Sequence, residues 1–266
     1  VKKGIDPRDH KRDEQESARQ ANNLNKNTFQ KVAKSYISEN QPSWSSEVTK
    51  KQWPNSLRDY VYPIIGSKPV HLITIHDVLS VLRPIWSEKN TTARRVRSRI
   101  ENILDYSTTL EMREGNNPAV WRGNLKMVLP APSKLHKIKP HPAIPYNELH
   151  DFLVELRSRK GVGARALEFT ILTGSRTRPL LLAKWEDIDF DNSIWNCPEG
   201  NMKSRKFFRI PLCEPAMEII HNQRKTSRGE YIFGHEQTGK MSSNNCMLYT
   251  IYRMGHKGKV TTHGMR

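Results

Sequence analysis

Five prolines, Pro130, Pro132, Pro140, Pro142 and Pro145, crowd into one short stretch near the middle of the chain. Proline has no backbone N–H and its ring clashes with the preceding turn, so such a stretch cannot continue a helix and holds the backbone extended. Helical periodicity runs on both sides of it, so the chain must divide here. Its 266 residues, enough for one large domain or two ordinary ones, are read as two. The pattern sets a polar opening segment at 1–27, a first domain at 28–122, a linker at 123–145 and a second domain at 146–266. The linker is basic as well as stiff. Over 122–145, Arg122, Lys126, Lys134, Lys137 and Lys139 occur with no acid between them, which suits a path along a phosphate backbone.

The first domain reads as all helical. In TFQKVAKSYI the residues Phe29, Val32, Ala33, Tyr36 and Ile37 recur at one helix face. Trp53, Leu57, Tyr60 and Val61 predict a second helix, started or interrupted at Pro54 and closed around Pro63 and Gly66. Thr74 with Asp77 has the form of an N-cap with an acid in the first turn, opening a helix toward Trp86. A fourth helix over about 91–112 carries Ala93, Val96, Ile100, Ile103, Leu104, Ser107 and Leu110 on one face. Arg94, Arg95, Arg97 and Arg99 are expected on its flanks and outer face. The six tryptophans are expected to anchor the cores.

The second domain opens with a helix carrying Leu149, Phe152, Leu153 and Leu156, then one at about 164–173 that ends in LTGSRTRP, then one holding Leu180–Trp185. SIWNCP and FFRIPL alternate with period two and are joined by EGNMKSRK, which predicts a β-hairpin with a basic tip. Helices return at about 215–224 and 242–254. The fold class expected is therefore mainly α (α+β): a small all-helical domain, then a mostly helical one with a small sheet or hairpin.

Charge points to the partner. Forty-four Lys and Arg against 27 Asp and Glu leave a formal net charge of +17, concentrated in places such as TTARRVRSRI, where four arginines stand without an acid. Nucleic acid is the polyanion such a chain fits, because neutralising phosphates releases counterions. No stretch approaches the ~18 apolar residues of a membrane span. The opening VKKGIDPRDHKRDE is charged throughout and has no signal-peptide character. Three widely spaced cysteines, Cys197, Cys213 and Cys246, exclude a disulfide scaffold and a four-cysteine zinc site, and are expected as small buried apolar residues in a reducing compartment. His71, His76, His136, His141, His235 and His256 lack metal-ligand spacing.

Four residues at element boundaries carry candidate chemistry: Arg176 after a helix, Lys203 at the hairpin tip, and His263 and Arg266 in the closing THGMR. Without clustered carboxylates they do not suit Mg²⁺, which demands hard oxygen ligands. They suit a phosphoryl centre. Guanidinium forks match phosphate oxygens, a histidine relays a proton, and a lysine protonates a leaving oxygen.

These residues also carry a resemblance. LTGSRT around Arg176, WEDIDF at Trp185–Phe190, NMKSRKFFRIPL with Lys203, and THGMR with His263 and Arg266 together resemble the P4-like prophage integrases of the tyrosine recombinase family. The runs YVYPIIGSKPVHLIT, VLRPIW, NTTARRVRSRIENILDYS and NPAVWRGNL are similar to that family's core-binding domain, and GIDPRD to its link with a separate arm-binding domain. The resemblance implies a cofactor-free, metal-free transesterification of DNA through a 3′-phosphotyrosyl intermediate. Arg176 and Arg266 would grip the non-bridging oxygens, Lys203 would give its proton to the departing 5′-oxygen, and His263 would assist at the attacking side. Arg94, Arg95, Arg97, Arg99, Lys134, Lys137 and Lys139 would contact DNA, the two domains gripping opposite faces of the duplex. Implied partners are double-stranded attachment-site DNA, other integrase protomers and host DNA-bending proteins. The implied setting is the bacterial cytoplasm and nucleoid, with no membrane.

Two departures bear on activity. The family's acidic residue three positions after the first arginine is Pro179 here, which removes a supporting carboxylate and predicts a weakened site. The family's nucleophilic tyrosine follows the H-x-x-R box. None of the eight tyrosines holds that place, and Tyr249 and Tyr252, before the box, are read as core packing. The expectation is a chain truncated at both ends that binds DNA without covalent cleavage. The rival readings are a recombinase-like regulator without a working nucleophile, and a generic basic DNA-binding protein whose four matched positions lie scattered in space.

Overall fold

The computed structural model describes residues 24–131, 140–201 and 206–266. The chain forms two compact units that divide between Ile138 and Lys139. The opening segment expected at 1–27 lies almost wholly outside the described residues, as do Lys134, Lys137, Lys139 and Lys203.

The first unit contains, among the described residues, helices α1 (Phe29–Asn40), α2 (Glu47–Tyr60), α3 (Tyr62–Ile65), α4 (Ile75–Trp86) and α5 (Asn90–Thr109). Helix α1 begins at Thr28, whose hydroxyl accepts the Lys31 N–H at 3.4 Å, and its expected face is buried at Phe29, Val32 and Ala33. The cap read at Thr74 is present. The Asp77 carboxylate accepts the Thr74 N–H at 2.8 Å and its hydroxyl at 2.7 Å, with Lys68 Nζ at 2.7 Å. Burial pushes Asp77 up, but the hydrogen bonds from Lys68 and Thr74 outweigh it and hold the carboxyl below its ordinary range. Helix α5 is the central element, with Ala93, Val96, Ile100, Ile103 and Leu104 fully buried.

Pro54 neither starts nor breaks α2. The helix opens seven positions earlier, at Glu47, under a Ser46 cap, and carries the proline in its interior. A favourable cap and a buried Leu57 outweigh the loss of one main-chain hydrogen bond. Leu110, expected on the buried face of α5, is exposed because the helix ends at Thr109. The segment after α5 is riveted by Asn117, which donates to the Glu101 carbonyl (2.8 Å) and Asp105 (2.7 Å) and accepts the Ala119 N–H (2.9 Å).

The stretch read as linker is packed at both ends. Leu125 and Leu129 are buried in the first unit, and the Trp86 indole, stacked 5.4 Å from Trp121, donates to the Pro130 carbonyl. At the other end Ile144 packs on the core of the second unit.

The second unit contains α6 (Leu149–Ser158), α7 (Val162–Thr173), α8 (Thr177–Leu181), a three-stranded sheet, α9 (Glu214–Thr226) and α10 (Cys246–Arg253). The sheet is antiparallel in the order β1 (Ile188–Asp189), β2 (Ile194–Cys197), β3 (Phe208–Pro211). The β2–β3 pair is the hairpin read from the sequence, with Trp195 opposite Ile210. At two residues, β1 is too short to leave a periodic signal. Phe169 of α7 packs against Trp195 and Phe233 at centroid distances of 5.6 and 5.3 Å, which seats helix on sheet.

The helix expected to hold Leu180–Trp185 ends at Leu181 instead. The main chain beyond is claimed by another segment: Ala183 O accepts the Ile232 N–H, and the Trp185 N–H donates to Glu230 O. Cys213 is exposed rather than buried, since it caps α9, whereas Cys197 is buried and its thiol is pushed up to about 12 by desolvation, with Asp187 adding to the rise. Tyr249 also departs from the core reading. Met247 and Ile251 fill the core side of α10, and Tyr249 is exposed on its other side.

Candidate functional site

Helix α7 ends at Gly174, whose φ of +61° lets the chain turn left-handed where a residue with a Cβ would be strained. Ser175 is buried behind the turn, its hydroxyl accepting from Thr173 Oγ1 at 3.0 Å. Arg176 follows as the N-cap of α8, with extended backbone and an exposed side chain. Two buried leucines of α8, Leu180 and Leu181, seat this turn on the core. Pro179 is the third residue of α8 and is itself buried. A first-turn residue has no intrahelical partner for its N–H, so the proline costs the helix no hydrogen bond. The backbone of the arginine turn survives the proline.

The THGMR box is tied down by local hydrogen bonds and by the segment that leads into the unit. Val260 and Met265 are buried. The Thr261 N–H donates to the Pro142 carbonyl at 3.0 Å, and the Gly264 and Met265 N–H groups return to Thr261 O at 3.0 and 3.2 Å. A Cβ on Gly264 would collide with that same Pro142 carbonyl, so glycine is required by close approach. His263 and Arg266 are left exposed.

The box then reaches the arginine turn: Arg266 Nε donates to the Gly174 carbonyl at 2.7 Å. His263 lies beside both arginines. Desolvation lowers its pKa below the ordinary imidazole value, and the positive charges of His141, Arg266 and Arg176 lower it further. The ring of His141 stands edge-on to that of His263, at a centroid distance of 4.5 Å and an interplanar angle of 86°. The charged groups acting on His263 are thus all basic. Such a cluster offers guanidinium donors and a neutral imidazole to an anion.

Of the four candidate catalytic residues, the fold brings Arg176, His263 and Arg266 together, while Lys203 lies outside the described residues. His141 was missed. It sits between two prolines in a stretch read as linker, and nothing local marks it.

The arginine run on α5 needs correction. Arg94 and Arg95 are exposed. Arg97 is turned aside, donating to Glu101 at 2.6 Å and to the Ala119 carbonyl at 2.8 Å. Arg99 is 8% exposed, bonded to the Gln52 carbonyl at 2.8 Å and to Ser56, with its guanidinium over the Trp53 ring. Burial lowers its pKa, and Arg95 adds to the effect. A helix of this diameter in contact with α2 cannot present four residues in six positions to solvent.

The described residues hold no group of three or more His, Cys, Asp or Glu that could bind a metal ion, and no helix among them is long and apolar enough to cross a membrane.

Comparison with solved structures matches this fold to DNA recombinases. A lambda integrase dimer bound to a COC′ core site superimposes with a TM-score of 0.72, covering 90% of this chain and 86% of that one at 16% identity. The Tn1549 transposon integrase in complex with circular intermediate DNA gives 0.70, covering 90% and 84% at 14% identity. Two family models match in chain order, the phage integrase central domain over residues 29–124 and the phage integrase family over 146–266. The chain belongs to the phage integrase family, the tyrosine-type site-specific recombinases. Among curated relatives it is 30% identical to prophage integrase IntZ of Escherichia coli K12 over 241 residues, 90% of this chain and 58% of the relative. It is 28% identical to the integrase of enterobacteria phage P4 over 283 aligned positions, 99% and 61% respectively. The chain thus spans about three-fifths of the length of these relatives.

Proposed function

We propose that this chain supplies the core-binding (28–122) and catalytic (146–266) parts of a prophage integrase that cuts and rejoins attachment-site DNA without metal or cofactor. The observation that carries this reading is the meeting of Arg176, His263 and Arg266 in one exposed basic cluster, closed by the Arg266–Gly174 bond. In the proposed step a tyrosine oxygen bonds to the scissile phosphorus as the bond to the 5′-oxygen breaks. Arg176 and Arg266 offset the charge that builds on the non-bridging oxygens. Arg266 does so with the Nη groups left over when Nε is committed to Gly174. His263, with its pKa held low, is neutral near physiological pH and able to take the tyrosine proton. Lys203 is assigned the proton for the departing 5′-oxygen. The tyrosine is assigned to sequence beyond these 266 residues or to another protomer on the same DNA, and host DNA-bending proteins are the further partners proposed. Exposed Arg94 and Arg95 are the α5 residues proposed to contact phosphates.

A second reading, a recombinase-like DNA-binding regulator, draws on Pro179, which leaves the arginine turn folded but without its carboxylate.

The test is a mobility shift of this chain on a core-site duplex. If ~6–10 phosphates are contacted, affinity falls ~10³–10⁵-fold between about 50 and about 200 mM salt. Arg176→Gln is expected to weaken binding about tenfold and to reduce the salt slope by about one. No 3′-phosphotyrosyl adduct is expected from the 266-residue chain alone. A flat salt response, or an adduct formed by this chain, overturns the reading.

A further inference from the structure

We infer that His141, from the segment entering the second unit, is a positioning residue of the phosphate cluster, holding the His263 imidazole in place beside Arg176 and Arg266. The inference rests on the recombinase reading and assigns a further residue to the same site.

The contact between the two rings is set by backbone, which separates it from a chance meeting of surface side chains. Pro142, next to His141, receives both the N–H and the hydroxyl of Thr261, at 3.0 and 3.3 Å. Gly264, next to His263, presses on the carbonyls of Pro142 and His141 so closely that no side chain fits between. The residues beside the two rings are therefore locked together, and the rings meet at 4.5 Å and 86°. An edge-to-face pair presents the positive rim of one ring to the negative face of the other, a preferred arrangement that fixes ring orientation.

The pairing also shapes the proton chemistry. His263 is faced by His141 from the entry segment, by Arg176 from the N-cap of α8 and by Arg266 from its own box, all basic. Two imidazoles this close resist carrying two protons, so His141 is among the groups that hold His263 below its ordinary value. A phosphodiester entering the cluster reverses the local field and favours protonation. His141 thereby shares in setting the balance between the neutral His263 imidazole, which can take a proton, and its protonated form.

The experiment uses the 266-residue chain, histidine-resolved NMR titration and a duplex mobility shift. In His141→Phe, which keeps a ring and loses the charge, the His263 midpoint is expected to rise by about half a unit, the size of one exposed like charge at this distance. In His141→Ala the midpoint rises similarly and DNA affinity near neutral pH falls a few-fold, while His141→Phe recovers most of that affinity because the ring edge is retained. In both variants the gain in affinity on lowering the pH from about 8 to about 6 is smaller than in the parent. Equal thermal melting of the three proteins shows that the effect is local, and if His141→Ala melts early the Phe variant still reports. An unmoved His263 midpoint in both variants, or equal DNA affinity for Ala and parent, overturns the inference. The Arg176→Gln variant separates this from the reading beneath it. If Arg176→Gln weakens DNA binding while both His141 variants match the parent, only the role of His141 fails. If Arg176→Gln binds as tightly as the parent, the phosphate cluster itself fails.

Discussion

Helix α5 carries four arginines between positions 94 and 99, whereas the cationic patch of the second unit draws Arg176, His263, Arg266 and His141 from three separate segments. The dense run leaves only Arg94 and Arg95 exposed. Arg99 is buried against α2 and Trp53, and Arg97 is committed to Glu101 and a carbonyl, so half the run is structural. The dispersed set is exposed, and the charged groups acting on His263 are all basic. A guanidinium already bonded to carbonyls has few donors left for phosphate, while one held beside like charges gains by meeting an anion. Charge density along a chain therefore says little about charge density on a surface.

The sharpest break of this contrast is stability. Arg99→Ala removes a buried guanidinium, its hydrogen bonds and its stacking on Trp53, and is expected to lower the unfolding free energy of the first unit by about 2–4 kcal/mol. Arg94→Ala should stay within about 0.5 kcal/mol. Urea unfolding followed by tryptophan fluorescence measures both, and equal losses would show that α5 treats the two positions alike.

A smaller effect concerns binding. Arg94→Gln with Arg95→Gln is expected to weaken duplex DNA binding several-fold, uniformly across sequences, and to lower the salt slope by up to about two. Arg97→Gln should move the slope little, because its guanidinium is engaged within the unit. A slope change for Arg97→Gln as large as for the exposed pair would erase the distinction between them.

The smallest effect is the pH dependence of folding. The folded state holds His263 below its ordinary pKa, so the native protein binds fewer protons there than the unfolded chain. The associated stability is complete above the ordinary imidazole pKa and is lost as pH falls through that value toward the lowered one. Thermal melting should therefore decline with acid over that window, and less so in Arg176→Gln, which removes one of the charges responsible. A melting profile that is identical in the two proteins would remove Arg176 from the surroundings of His263.

Much of this molecule was legible from local pattern. The faces of α1 and α5, the Thr74–Asp77 cap, the β2–β3 hairpin and the prolines near the unit boundary depend on residues a few positions apart, and periodicity or turn chemistry encodes them directly. Arg176, His263 and Arg266 were singled out because they stand at element ends within recognisable motifs. The length of α8 was not legible, since it ends where residues 230–232 take over its main-chain hydrogen bonds.

The chain's sequence alone marked most of the helical segments, the hairpin and the motifs that carry Arg176, His263 and Arg266, and set the net charge of +17. The tertiary structure alone decided that Arg99 points inward, that Pro179 is accommodated, and that His141 stands edge-on to His263. The reason is one of range. Backbone preference and amphipathic spacing act over a turn or two, but the surroundings of a side chain are set by elements far away in sequence, whose arrival no local pattern announces.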